Sequence, residues 1–527
     1  MADREAVSAR LVQAIRRGER IVIFGDYDCD GITSAAILTE VIRALGGTVV
    51  PLVASRFDGG YGISKPGVRR ILEARAQLLV TCDCGSSDHE ALAELGRQGV
   101  EAVVIDHHLV PEQPLPVLGF LNPHRKECGF PYKGLASCGL ALSVAAALRK
   151  ALGVDLDLRY WLDLVAIGTI ADVAPLDGDN RCLVRAGLEA IGKARRPGML
   201  ALLEMAKVSR DKPLTGRDVA FRLAPHINAP GRLGSPELAL ELLLARDIAS
   251  ARALAARIEQ ISAQRRAFSD EMLREANEEI SERGYERQAA VVLGRNGWNP
   301  GIVGIVAGRL SDRLARPVIV VGFDGDVGRG SVRGPTGARL YDALEQVSSV
   351  LERFGGHQQA AGLEVRLDRL SELRELFSAA IERQPSVAPV ASDTEPLLFH
   401  AADEPAQVLA DLDRLEPCGF GNPRPRLCVE AQIVSAREVK NGHLKLLIEL
   451  AGSRRLSGFA PNRGALANGL SGTVQLFGDL RHNDFPGGDP VEMFVEDLGP
   501  PSIDRAAVPV SSLAEPAVVA AWSAAPP

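Results

Sequence analysis

The sequence predicts an α/β protein: a doubly wound parallel sheet, then a long connecting helix, a second α/β lobe and a small C-terminal β-barrel. Three observations predict it. Between residues 10 and 153 short apolar runs alternate with stretches of helical periodicity, the pattern of strand–crossover–strand units. Ala251–Arg283 continues with few breakers and many charges, enough for a helix of roughly 45 Å. Beyond a Pro-rich linker, Pro385–Pro396, five short alternating runs follow. The boundaries read as 10–250 for the first domain, 251–288 for the connector, 289–384 for the second lobe, 397–500 for the barrel and 501–527 for an Ala-, Pro- and Val-rich tail.

In the first domain Ile21–Phe24, Leu78–Val80 and Ala102–Ile105 read as buried strands of a parallel sheet. Ile32–Leu45, Lys65–Ala76, Glu90–Arg97 and Leu135–Leu152 are the crossover helices, and residues 158–250 are helical in pattern. Each strand runs into an acidic turn: Asp26-Tyr27-Asp28-Cys29-Asp30-Gly31, Cys82-Asp83-Cys84-Gly85 and Asp106-His107-His108. The carboxyl ends of such strands line one crevice, where ligands sit. Three acidic turns there repel one another unless cations neutralise them.

Asp oxygens with one or two imidazoles suit Mn²⁺ or Mg²⁺. Asp28 and Asp30 can serve neighbouring ions with Asp26 behind them, Asp83 can bridge the pair, and His107 can add a nitrogen. Two ions roughly 3.5–4 Å apart activate water and stabilise the leaving oxygen in phosphoester hydrolysis. An Asp after a strand also serves simply as a helix N-cap. A fourth carboxylate, Asp172, ends the apolar helix within Tyr160–Leu176, where it is costly unless paired or coordinating. Asp163, earlier in the same helix, is expected to face solvent.

The second lobe has expected strands at 289–294 and 317–323 and helices at 301–315 and 338–353. Its glycine-rich segment Gly328–Gly334 combines backbone freedom, the Ser331 hydroxyl and the Arg329 and Arg333 guanidinium groups, a phosphate-binding set. Gly355-Gly356-His357 lets backbone approach a ligand and presents an imidazole. The barrel strands are Cys428–Ile433, His443–Leu450, Arg455–Phe459, Thr473–Gly478 and Val491–Val495, a pattern that suits an OB-fold. Aromatic residues are sparse there (Phe420, Phe459, Phe477, Phe485), which limits base stacking.

Composition bounds the function classes. The 527 residues are 46% hydrophobic, which excludes wholesale disorder and calls for several domains. No apolar leader or bilayer-length segment is present, and eight cysteines without zinc-site spacing fit a reducing cytoplasm and no membrane. Cys29, Cys82 and Cys84 read as small apolar packing groups. A net charge of −7 excludes a broadly basic nucleic-acid coat, so local clusters must bind phosphate: Arg56, Arg125-Lys126, Arg232, Arg309, Arg329, Arg333 and Arg424/Arg426.

These residues also carry a resemblance. Gly25–Ser34, Asp83-Cys84-Gly85, Asp106-His107-His108 and Gly168–Val173 resemble the four ordered motifs of the DHH phosphoesterases. Asn122-Pro123-His124, Ile227–Arg232, Gly355-Gly356-His357 and Leu415–Pro423 are similar to the RecJ family of bacterial single-strand exonucleases within that superfamily, and the likeness runs from about residue 10 to about 500. The resemblance implies a 5′→3′ exonuclease specific for single-stranded DNA that releases 5′-mononucleotides by a two-metal mechanism, in repair and recombination. Asp28, Asp30, Asp83, His107 and Asp172 are then the metal ligands, with Asp26, Asp106 and His108 as further catalytic groups, His108 orienting or protonating the leaving oxygen. Arg56, Arg232, Ser331, Arg333 and His357 hold the 5′ terminal phosphate, and a narrow channel between the lobes excludes duplex. A single-strand-binding protein and a RecQ-type helicase are implied as partners of a cytoplasmic monomer.

Two departures stand out. Phe24 occupies a place where many DHH phosphoesterases put a metal-ligating His, so the first ion is expected to bind more weakly or to take a water there. The chain starts about 25 residues before its first motif, a shorter lead than the family usually has, as in a truncated form. Two other readings remain: a small-substrate DHH phosphodiesterase acting on oligonucleotides, cyclic dinucleotides or pyrophosphate, and a catalytically dead DNA-binding scaffold. The barrel and long helix weigh against the first, the retained carboxylates against the second.

Overall fold

The computed structural model describes residues 1–385, 395–400, 403–450, 453–483 and 488–499. Most of the expected linker, the 501–527 tail and Phe485 lie outside these residues. The chain divides into two compact units, Met1–Val390 and Ala391–Pro527.

The first unit opens with a parallel sheet of five strands: β1 (Arg20–Gly25), β2 (Thr48–Val53), β3 (Leu78–Cys82), β4 (Glu101–Ile105) and β5 (Gly119–Leu121). Their order is β2-β1-β3-β4-β5, so the crossovers reverse direction between β1 and β3. Strands β1, β3 and β4 match the three apolar runs. The two edge strands are not among those runs: Pro51 interrupts the apolar residues of β2, and β5 has only three residues. Alternate residues of β1 feed different cores: Ile21 and Ile23 join helices Cys29–Ala44, Ser137–Leu152 and Leu162–Ala171, while Val22 and Phe24 meet Val68, Ile71, Leu92 and Leu95. Gly31 is required where the first acidic turn closes, since a Cβ there would lie 2.5 Å from the Asp26 backbone nitrogen.

Asp163 departs from expectation. It is buried and paired with Arg196, whose Nε lies 3.2 Å from Asp163 Oδ2 and whose Nη1 lies 2.7 Å from Glu40 Oε2. Burial of a carboxylate among apolar helices is tolerable here because the guanidinium neutralises it.

The connector is a single helix, Ile248–Arg283, of 36 residues, begun by the Asp247 side chain accepting from the Ser250 amide and ended at Gly284 with φ +67°. It leads into the second lobe: β6 (Val291–Asn296), β7 (Val318–Phe323), β8 (Val327–Arg333), β9 (Arg353–Gly356) and β10 (Ala360–Arg366), ordered β6-β7-β8-β10-β9 with only β6–β7 parallel. The segment Gly328–Gly334 is therefore mostly strand rather than a free turn. Its glycines lie on the covered face, where a Cβ at Gly328 would come within 2.6 Å of the Phe323 ring, and Arg329, Ser331 and Arg333 share the open face. The helix expected over 338–353 stops at Gln346, because a 3₁₀ turn (Ser348–Val350) and β9 follow.

In the second unit β11 (Leu397–Phe399) adds in parallel to β12 (Leu427–Val439). Strands β12, β13 (His443–Leu450), β14 (Arg454–Ala460), β15 (Gly472–His482) and β16 (Val491–Gly499) form a barrel closed by the β12–β15 pairing. The five expected strands are all present; buried and open residues alternate most regularly along β13 and β15, while β14 buries Leu456, Ser457 and Gly458 in succession. Among the described residues no helix is long and apolar enough to cross a membrane.

Candidate functional site

The acidic turns meet at the carboxyl ends of β1, β3 and β4. Asp28 caps helix Cys29–Ala44, its Oδ1 accepting from the Asp30 and Gly31 amides at 3.0 and 3.1 Å. Capping occupies one oxygen and leaves the other for a second role. Asp30 is buried and accepts from the amides of Ser137 (2.7 Å) and Cys138 (2.9 Å) at the start of helix Ser137–Leu152. Asp83 is held at φ +63° directly after β3. Asp172 ends helix Leu162–Ala171. His107 draws these together: its Nε2 lies 3.2 Å from Asp83 Oδ1, 3.7 Å from Asp172 Oδ2 and 3.8 Å from Asp30 Oδ2.

Asp106 points the other way. It accepts from the amides of Ser86, His107 and His108 and from His108 Nδ1 at 2.7 Å, so its oxygens shape the histidine turn. Asp26 is buried beside Asp28, with its Oδ1 lacking a hydrogen-bond partner.

Electrostatics mark the cluster as short of positive charge. Burial, then Asp30 and Asp28, drive Asp83 well above the usual carboxylate range. Burial and the same two neighbours push Asp172 up to about 9. Burial lowers His107, which favours the neutral imidazole a metal takes. For Asp106 the burial penalty is outweighed by hydrogen bonds and charge from His108 and by Ser86, which hold it below its ordinary value.

Three ligand sets have donor atoms within 4.8 Å of one another: Asp26, Asp28 and Asp83; Asp30, His107 and Asp172; Asp83, His107 and His108. His107 Nε2 is buried without a hydrogen-bond partner amid carboxylate oxygens. An oxygen-rich set with one orphaned imidazole nitrogen fits Mn²⁺ or Mg²⁺. Phe24 sits in the core against Gly67 and offers no ligand.

A second constellation is basic. The Arg56 guanidinium lies 4.3 Å from the Tyr27 ring centre, beside the first acidic turn. Arg232 Nη1 donates to the Gly301 carbonyl at 3.2 Å, and Arg333 Nη1 donates to Ser331 Oγ at 2.7 Å. Burial, together with Arg56, Arg265 and Arg333, pushes Arg232 down to about 10. Among the described residues none of these arginines has a carboxylate at ion-pair distance, which suits an anion from outside. The first turn of helix Val303–Leu314 adjoins them, since a Cβ at Gly304 would lie 3.2 Å from Ser331 Oγ and 3.3 Å from Arg333 Nη2.

Sequence reasoning missed Arg265, whose Nη1 donates to the Pro225 carbonyl at 3.2 Å. A signal existed: on the long helix it falls between Ser262 and Ser269 on the buried stripe with Ile258 and Met272. Other expected phosphate binders are already paired. Arg125 meets Asp3 and Glu127, Arg309 meets Asp270, Arg329 meets Glu364, Arg424 meets Asp413, Glu416 and Asp479, and Arg426 meets Glu496. His357 is exposed after β9, with its amide donating to the Ala360 carbonyl, and no described contact joins its ring to the arginines.

Comparison with known proteins follows the same order along the chain. Residues 20–169 match the DHH family N-terminal domain, 287–383 the DHHA1 domain and 400–497 the RecJ OB domain. The chain is 36% identical to the single-stranded-DNA-specific exonuclease RecJ of Dickeya dadantii over 93% of its own length and 89% of that protein. It is 37% identical to that of Thermus thermophilus, covering 94% and 71%. Against the Bacillus subtilis relative, 33% identical, it spans 63% of the relative's length. The fold superposes on the crystal structure of T. thermophilus RecJ in complex with Mn²⁺ with a TM-score of 0.80 and 35% identity, over 96% of this chain and 72% of that one. Domain content, identity and fold agree: the chain belongs to the RecJ family of DHH phosphoesterases.

Proposed function

We propose that the chain is a single-stranded-DNA-specific exonuclease that hydrolyses phosphodiesters from the 5′ end, releasing 5′-mononucleotides in DNA repair and recombination. The observation that carries this is His107 Nε2, buried without a hydrogen-bond partner among carboxylates from three separate elements. The cofactors are divalent metal ions, Mn²⁺ or Mg²⁺, and Asp28, Asp30, Asp83, His107 and Asp172 would hold two of them. Ions so held lower the pKa of water and offset the charge that develops on a phosphoryl group. Asp26 extends the negative field behind Asp28, and Asp106 fixes the histidine turn. Because Asp106 engages His108 Nδ1, the Nε2 atom is left to orient or protonate the leaving oxygen.

Arg56, Arg232, Ser331 and Arg333 would receive the 5′ phosphate, with Arg265 adding to their field and His357 joining once DNA is bound. In this reading residues 10–250 carry the chemistry, 251–288 connect, 289–384 grip the end and 397–500 bind the strand. Support for the last comes from the barrel surface, where Phe459 and Phe494 lie 6.2 Å apart with Arg481 over Phe494. A cytoplasmic monomer working with a single-strand-binding protein and a RecQ-type helicase belongs to the same proposal.

Single-stranded DNA labelled at the 5′ or the 3′ end, incubated with Mn²⁺ or chelator beside a blunt duplex, tests it. Prompt release of a labelled mononucleotide from the 5′ label only, abolished by chelator and absent on duplex, is expected. Binding without cleavage would favour the scaffold, and cleavage confined to very short oligomers the small-substrate phosphodiesterases.

A further inference from the structure

We propose that Ser137 is a positioning residue of the metal centre: its hydroxyl orients the Asp83 carboxylate while its amide orients Asp30, so one residue sets how two strand-end acids face their ions. The proposal rests on the reading of Asp30 and Asp83 as ligands. Ser137 is fully buried at the first turn of helix Ser137–Leu152, an element that carries none of the ligands itself. Its Oγ lies 3.2 Å from Asp83 Oδ1 and its backbone nitrogen 2.7 Å from Asp30 Oδ2. The next amide, Cys138, lies 2.9 Å from Asp30 Oδ1, so both Asp30 oxygens are gripped by the positive end of a sixteen-residue helix.

Asp83 lacks such support. Its charged neighbours Asp30, Asp28, Asp106 and Asp26 all repel it. Two imidazole nitrogens also lie near its Oδ1: His107 Nε2 at 3.2 Å, and His108 Nδ1 at 3.7 Å, which Asp106 already engages at 2.7 Å. A nitrogen whose lone pair binds an ion cannot also donate a proton to Asp83. Among the described residues that leaves the Ser137 hydroxyl as the donor aimed at Asp83, and a donor of this kind orients a ligand and raises the affinity of a site. The two grips respond differently to substitution. The amide bonds to Asp30 survive replacement of the side chain, while the hydroxyl bond to Asp83 does not.

The test is a Mn²⁺ titration of the full chain followed by the EPR signal of free Mn²⁺, for wild type, S137A, S137G and D83A. Circular dichroism serves as the folding check. Loss of one bound ion in D83A, with roughly tenfold weaker binding of one ion in S137A and S137G, is expected. Affinity for a 5′-phosphorylated oligonucleotide in chelator should stay at the wild-type value in both serine variants, which a general loosening of the domain would not allow. Should S137A fail to fold, S137G decides. Wild-type Mn²⁺ affinity in a folded serine variant, with D83A defective, would overturn the role of Ser137 alone. Retention of both ions by D83A would overturn the ligand reading beneath it.

Discussion

The Arg232 guanidinium sits in a field made by Arg56, Arg265 and Arg333, and Arg232→Met tests what that field is for. Holding a guanidinium down at about 10 corresponds to roughly 3 kcal/mol by which the folded protein disfavours its charge. Arg232 keeps some contact with solvent, and screening reduces that figure to about 2 kcal/mol. The substitution also removes the donor to Gly301, a loss of about 1 kcal/mol. Met keeps most of the apolar volume. Arg232→Met should therefore stabilise the DNA-free protein by about 1 kcal/mol, or roughly 2–4 °C in Tm. The gain should shrink as salt rises from about 0.05 to 0.5 M, because it comes from repulsion between like charges. Binding should move the opposite way. Loss of a charged donor to phosphate is worth about 1.5–3 kcal/mol, roughly 10–150-fold in affinity. The assays are differential scanning fluorimetry across salt, and anisotropy with 5′-phosphorylated and 5′-hydroxyl oligonucleotides in chelator. A fall in Tm at low salt, with equal affinity losses for the two ends, would refute the assignment of a strained anion pocket.

Three further outcomes follow from other sites. Arg196→Met leaves the buried Asp163 and Glu40 without their cation and should cost about 3–5 kcal/mol, seen as a Tm drop of roughly 10 °C. The triple change E40Q/D163N/R196M should lose less, since no uncompensated charge remains; equal losses would argue against an electrostatic origin. Arg265→Ala should weaken oligonucleotide binding in chelator several-fold and reduce the slope of log K against log salt by about 0.7, with Mn²⁺ binding unchanged. Val173 follows Asp172 with φ +58° and an exposed side chain, so Val173→Gly should raise stability by about 0.5–1 kcal/mol in chemical denaturation, relief of left-handed strain outweighing the added chain entropy.

Local pattern determined much of this protein. The apolar runs behind β1, β3 and β4, the acidic turns after them and the alternation behind the barrel strands are short-range signals, and each survives folding because it specifies backbone periodicity. The grouping of Asp28, Asp30, Asp83 and His107 was legible for the same reason, since parallel strands deliver their carboxyl ends to one edge, while Asp172 stood out as a carboxylate ending an apolar helix. Tertiary structure decided what each polar group meets. Asp163 reads as a solvated helix residue until Arg196, far along the chain, is folded against it. Arg125, Arg309, Arg329, Arg424 and Arg426 look as available as Arg56 or Arg333 in sequence, and only packing gives the first five a carboxylate and withholds one from the others. Edge strands β2 and β5 did not stand out because Pro51 breaks the apolar run of the first and the second has only three residues. Ser137 gave no chemical signal of its own, and Arg265 gave only its place on the buried stripe of the long helix. A hydroxyl or guanidinium acquires its role from the long-range contact that buries it, and charge pairing through space has no period along the chain.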